Sequence, residues 1–74
     1  MTGANDSLMY KLAAEYVRAL IEDGTHAPGH AVPSVTALNA RTRWPQVTCT
    51  RALRYLNDQG VLTRYPGLGY YVPA

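Results

Sequence analysis

The chain has 74 residues and a mass of 8.1 kDa, which limits it to one small domain. Large enzyme folds are excluded by this length, since a (β/α)8 barrel alone needs roughly 250 residues. A hydrophobic fraction of 47% and a charged fraction of 16% favour a folded chain. Because the single cysteine, Cys49, excludes an internal disulfide, we expect a reducing, cytoplasmic location. The apolar runs are only a few residues long, so we expect no membrane partner.

The net charge of +2 is unevenly distributed along the chain. Residues 1–29 carry two basic and four acidic side chains, a balance of −2, whereas residues 30–74 carry five arginines and one aspartate, a balance of +4. Arginine suits phosphates and guanine edges better than lysine does, so this asymmetry favours a nucleic-acid partner. The alternative is a solvated basic surface, as on many small proteins.

The first predicted element is an amphipathic helix. Residues 1–6 are expected to form a flexible tail, with Ser7 as the helix N-cap and residues 7–74 as the folded domain. Apolar side chains then recur at three- and four-residue spacing as far as Ile21. Gly24 fits the position just past a helix end, so the helix should finish immediately before it.

Two more helices are predicted after a Pro-Gly turn. Ser34 is the expected N-cap of the second helix, which should extend to about Thr42. Pro45 can begin the third helix without losing a needed N–H group, and this helix should end near Gln59.

The third helix is predicted to bury one side and expose the other. At about 100° per residue, one stripe groups the apolar residues Cys49, Ala52, Leu53 and Leu56. The opposite side groups Val47, Thr50, Arg51 and Arg54. This outward face has two arginines and no acidic residue, whereas a solvated face would usually mix both signs.

The C-terminal part is predicted to form a β-hairpin. Residues 61–65 and 70–72 are rich in β-forming side chains and flank a Pro-Gly-Leu-Gly turn. Helix, short helix, tight turn, helix and hairpin in this order predict an α+β fold, mostly α, of the winged helix-turn-helix type. In such a fold the hairpin is the wing.

Several short motifs occur in the order and spacing of a known family. Residues 28–34 (PGHAVPS) are similar to its PGxxLPS, residues 60–62 (GVL) to its GLL, and residues 67–72 (GLGYYV) to its GxGxFV ending. From Tyr10 to Val72 the chain resembles the DNA-binding domain of GntR-family bacterial transcriptional regulators. It looks most like the short actinobacterial members that lack an effector domain.

The resemblance implies a DNA-binding regulator with its third helix in the major groove and its wing over the minor groove. Thr36, near the start of the second helix, matches a position that touches phosphate in the family. Gly67 lies at the wing tip, where a residue without a side chain lets the backbone approach DNA, although a tight turn alone can also require glycine. Arg64 and Tyr65 flank the wing and are expected to touch phosphate.

The chain departs from the family pattern at five positions. Glutamate is replaced by Val35, the turn glycine by Arg43, the capping serine by Pro45, and two arginines by Gln46 and Thr50. The DNA sequence that relatives prefer therefore does not transfer to this chain. The donor and acceptor of Gln46 match N6 and N7 of adenine, so we expect adenine where relatives favour guanine.

The candidate DNA-binding residues have structural alternatives. Threonines of the third helix can simply fill the helix, Val47 can be a tolerated surface residue instead of packing on a thymine methyl, and Arg54 can pair with Asp58. The candidates are Thr36, Arg43, Gln46, Val47, Thr48, Thr50, Arg51, Arg54, Arg64, Tyr65 and Gly67.

No catalytic, metal or cofactor site is predicted. His26 and His30 lie on either side of the Pro-Gly turn and share no helical face, and Cys49 is remote from them in sequence. We interpret Cys49 as a small core hydrophobe instead of a redox switch. No serine or carboxylate has a recognisable catalytic partner.

These observations predict a transcriptional regulator, specifically a repressor that acts by occupying its operator. Double-stranded DNA is the expected partner, two copies can pair on a two-fold site, and no effector domain is expected within these residues. One alternative is a winged-helix protein–protein interaction module, since fold alone does not determine function. The other is an accessory DNA-binding protein of a plasmid or phage, such as a transfer or excision factor.

Overall fold

In the computed structural model, which describes the backbone of residues 2–74 and the side chains of residues 9–74, three helices precede a two-stranded hairpin. The elements are α1 (Thr2–Glu22), α2 (Val35–Thr42), α3 (Gln46–Asp58), β1 (Thr63–Tyr65) and β2 (Gly69–Tyr71). This order confirms the predicted winged helix-turn-helix fold. Within residues 2–74, no helix combines the length and the apolar character that crossing a bilayer requires.

α1 begins earlier than the sequence predicts. The expected tail covered residues 1–6, but the backbone is helical from Thr2 onward. Ser7 therefore lies inside the helix and is not its N-cap. Once packing of the later turns fixes a helix, each added residue costs little, and no proline interrupts this stretch. The domain boundary at residue 7 stays a prediction.

The start of α2 is fixed by a side-chain cap. The Ser34 hydroxyl accepts a hydrogen bond from the Ala37 N–H at 3.1 Å, which confirms Ser34 as the N-cap. At the other end, Arg43 adopts the left-handed conformation with φ 67°, and its N–H donates to the Asn39 carbonyl at 2.8 Å. The helix is thus stopped by a conformation that glycine usually supplies.

Side chains hold the turn that joins α2 to α3. The Thr42 hydroxyl donates to the Leu38 carbonyl at 2.8 Å and accepts from the Trp44 N–H at 3.2 Å. The Asn39 amide donates to the Trp44 carbonyl. The Trp44 ring also meets Tyr16 of α1 edge-on, with 5.9 Å between ring centroids. These contacts attach the turn to α1 and set the direction in which α3 begins.

The core lies where α3 packs against α1 and α2. The predicted buried stripe of α3 is confirmed, since Cys49, Ala52, Leu53 and Leu56 have no exposed surface. Burial raises the pKa of the Cys49 thiol, so this group stays protonated at neutral pH. The residues that complete the core are Ala13, Ala14, Val17, Val32, Leu38, Leu62 and Val72.

The wing is attached to the loop that precedes α2. β1 and β2 are antiparallel, with Thr63 opposite Tyr71. Ala31 forms an isolated bridge with Tyr71, and the Val32 N–H donates to the Tyr70 carbonyl at 3.0 Å. The hairpin is therefore held beside the N-terminal end of α2 by backbone hydrogen bonds.

Candidate nucleic-acid interface

One side of α3 is exposed and basic. Val47 is 75% exposed, Gln46, Arg51 and Arg54 are also exposed, and Thr50 is half-buried. The buried stripe on the other side of the helix fixes this orientation, so Val47, Thr50, Arg51 and Arg54 share the outward surface, as predicted for this helix. Gln46 is exposed at the start of the helix.

Within residues 9–74, no ion pair neutralises the arginines of this surface. Among the described side chains, the one ion pair joins Arg18 to Glu15 of α1, with 3.6 Å between nitrogen and oxygen. Arg54 and Asp58 are one turn apart, but the pairing considered for them does not form in residues 9–74. No described acidic side chain therefore offsets the positive charge of the two guanidinium groups of α3.

An open groove of about 440 Å³ follows this surface. Tyr10 of α1 forms one side of it, and the guanidinium carbon of Arg51 lies 4.4 Å from the centroid of the Tyr10 ring. The same ring meets Tyr55 of α3 edge-on, with 5.4 Å between centroids. The groove is lined by Tyr10, Val47, Thr50, Arg51, Arg54, Tyr55 and Asp58.

Thr48 is buried and does not line this groove. It is only 4% exposed, so the structure assigns it to the core and not to the exposed surface where a DNA donor was expected. The reason is helical spacing: Thr48 precedes the buried Ala52 by one turn and therefore falls on the same face. That spacing was readable from the sequence.

Thr36 and Arg43 are exposed at the two ends of α2. Thr36 lies in the first turn, next to the capped N-terminal end where backbone N–H groups attract anions. Arg43 is the one non-glycine residue with positive φ among those described. Neither residue lines the groove along α3, and Gln46 at the start of α3 does not line it either.

The wing contributes a second, smaller groove of about 240 Å³ beside the start of α2. The predicted residues Arg64, Tyr65 and Gly67 line it together with Ser34. Gly67 has φ 82°, and nothing lies within 4 Å of where a β-carbon would stand, so backbone conformation and not crowding favours glycine here. The Arg64 N–H donates to the Asn57 side-chain oxygen at 3.1 Å, which links the base of the wing to α3.

Comparison with protein families matches residues 9–72 to the family described as bacterial regulatory proteins, gntR family. A histidine utilization repressor from Pseudomonas aeruginosa is 33% identical over 64 residues, which are 86% of this chain and 26% of that protein. The mannosyl-D-glycerate transport/metabolism system repressor MngR of Escherichia coli is 36% identical over 64 residues, which are 86% of this chain and 27% of that protein. The chain thus spans about a quarter of the length of these relatives.

Solved structures agree with this match. YtrA from Sulfolobus acidocaldarius, a GntR-family transcription factor, superposes with a TM-score of 0.76 at 29% identity, covering 88% of this chain and 68% of that one. The possible transcriptional regulator YydK from Bacillus subtilis gives a TM-score of 0.80 at 24% identity, and the match covers 89% of this chain and 29% of that one. At that lower identity the second likeness concerns the fold alone.

The left-handed backbone of Arg43 should lower the stability of the fold. An L-residue in the left-handed region costs about 1–2 kcal/mol, and the greater freedom of glycine in the unfolded chain offsets about 0.4–1 kcal/mol of any gain. We expect Arg43→Gly to raise the free energy of unfolding by about 0.5–1 kcal/mol, measured by urea denaturation. Arg41→Gly, inside the last turn of α2, is the control and should lower stability by about 1 kcal/mol. Equal destabilisation by both variants would contradict the account of this turn.

Proposed function

Because this chain belongs to the gntR family of bacterial regulatory proteins, we propose that it is a DNA-binding transcriptional repressor that acts by occupying its operator. The observation that carries the proposal is the exposed side of α3, where Arg51 and Arg54 have no ion-pair partner in the described chain. Two relatives named as repressors support repression instead of activation. The proposed role is binding, with no catalytic step.

In the proposed complex, α3 enters the major groove, which is about 12 Å wide and admits a helix. Arg51, Arg54 and Thr50 face the bases or the adjacent phosphates, and the exposed Val47 packs on a thymine methyl. The side of α3 that includes Thr48 stays in the core.

Phosphate contacts around α3 fix the register of the proposed complex. Thr36 and the N-terminal end of α2 bind one phosphate, through the free N–H groups of a helix start. Arg43 adds positive charge at the turn. Arg64 and Tyr65 bind phosphates beside the minor groove, while Gly67 lets the wing backbone approach it.

We further propose that two copies pair on a two-fold operator in the cytoplasm, with half-sites about one helical turn, or 34–36 Å, apart. The two arginine-bearing helices would then read successive major grooves on one side of the duplex.

A protein–protein interaction module is the second candidate, and exposed apolar side chains favour it. Leu12 on α1 is 59% exposed and Leu68 at the wing tip is 71% exposed. Single exposed leucines are common on protein surfaces and form no patch by themselves. The two candidates differ in how DNA affinity depends on salt.

Salt dependence is the direct test of the proposal. With about four phosphates neutralised per copy, the logarithm of affinity should fall against the logarithm of salt concentration with a slope of about −3 to −4. Arg51→Ala and Arg54→Ala should each weaken binding by about 1–3 kcal/mol. Arg18→Ala removes the same charge from α1 and serves as the control, with little expected change. Fluorescence anisotropy on labelled duplex measures all four proteins, and a slope near zero would favour the interaction module.

Base preference tests the proposed role of Gln46. This residue begins α3 and is exposed, and its side chain makes no hydrogen bond within residues 9–74, so its side-chain amide is available to a base edge. Bidentate pairing with adenine should favour adenine at one half-site position by about 1–3 kcal/mol. Gln46→Arg should shift that preference to guanine when every base is tested at each position. A uniform gain in affinity across all sequences would contradict base reading, because it would reflect added charge alone.

A further inference from the structure

We propose that Tyr10 is a positioning residue, which holds the Arg51 guanidinium in place for DNA binding by stacking against it. This inference rests on the proposed function, because it assigns the DNA-facing arginine a support that lies on a different helix. Sequence periodicity did not mark Tyr10, since the contact joins α1 to α3 and no spacing within one helix reports it.

The geometry of the contact is that of a cation–π stack. The guanidinium carbon of Arg51 lies 4.4 Å from the centroid of the Tyr10 ring, within the range of about 6 Å for this interaction. Tyr10 is itself held, because its ring meets Tyr55 edge-on at an interplanar angle of 74°. Tyr55 and Arg51 are one helical turn apart on α3, so Tyr10 contacts both members of an i, i+4 pair.

The ring contact leaves hydrogen-bonding capacity to Arg51. A guanidinium carries five N–H donors, and one aromatic ring cannot occupy them all. No hydrogen bond or ion pair engages the Arg51 guanidinium within residues 9–74, so it has donors available to a base edge or a phosphate. An exposed arginine loses rotamer freedom when it binds DNA, which weakens binding. Because the Tyr10 ring already restricts Arg51 in the free protein, less freedom is lost on binding.

Arg54 provides the internal comparison. It lines the same groove and carries the same charge, but the one cation–π contact among the described residues belongs to Arg51. Removing the Tyr10 ring should therefore weaken the contribution of Arg51 and leave that of Arg54 unchanged.

A double-mutant cycle tests this coupling. The probe is the duplex that the wild-type 74-residue chain selects from a random pool, with affinity measured by fluorescence anisotropy. Tyr10→Leu should weaken binding about two- to fivefold, and Tyr10→Phe, which keeps the ring, should bind nearly as the wild type does. In an Arg51→Ala background, Tyr10→Leu should cause no further loss. In an Arg54→Ala background, its full effect should persist.

The outcomes separate this inference from the proposed function. If the wild-type chain selects no duplex, the proposed function is overturned. If it binds DNA but Arg51→Ala leaves the affinity unchanged, Arg51 is not a DNA contact and the positioning role is overturned. If Arg51→Ala weakens binding but Tyr10→Leu does not, or if Tyr10→Leu acts equally with and without Arg51, only the positioning role is overturned. Tighter binding by Tyr10→Leu would overturn it as well, because the ring would then be withholding Arg51 from DNA.

A measurement on the wild-type protein keeps the test independent of how the variants fold. Protons of the Arg51 side chain above an aromatic ring should show an upfield ring-current shift in the NMR spectrum. We expect that shift in the free protein and again in the complex with the selected duplex. Its disappearance on DNA binding would show that the stack breaks, which would overturn the inference.

Discussion

The packing of α3 against α1 determines which side of α3 faces outward. Ala52 and Leu53 of α3 and Ala13 and Ala14 of α1 are fully or almost fully buried. Because this stripe must face inward, Val47 and the α3 arginines face outward. The orientation of the proposed reading surface is therefore a consequence of core burial.

The turn between α2 and α3 requires a left-handed residue, which strains the backbone when that residue is not glycine. Its left-handed residue is an arginine, although glycine would adopt that conformation with less strain. The proposed function gives a reason for this choice, since the side chain places a positive charge next to the start of α3. Backbone strain of this kind persists where surrounding contacts hold it, and Thr42, Asn39 and Trp44 provide those contacts here.

Features within one element were predictable from the sequence, and contacts between elements were not. Period and capping rules identified the buried stripe of α3 and the Ser34 cap, because each depends on neighbours one turn away. The same spacing would have placed Thr48 in the core, had it been applied against Ala52. The start of α1 was predicted too late, because residues 2–6 lack an amphipathic pattern but can still extend a helix whose later turns are packed. The stack of Arg51 on Tyr10 joins two helices, and its formation depends on their packing.

The most direct test of the central claim is a map of the surface that contacts DNA. Amide chemical shifts of the isotope-labelled protein should be recorded while a selected duplex is added. We expect the changes to concentrate in residues 36, 43–54 and 64–69, which are the first turn of α2, the turn with α3, and the wing. Changes centred on the exposed part of α1 around Leu12, with α3 and the wing unaffected, would rule out the proposed binding surface.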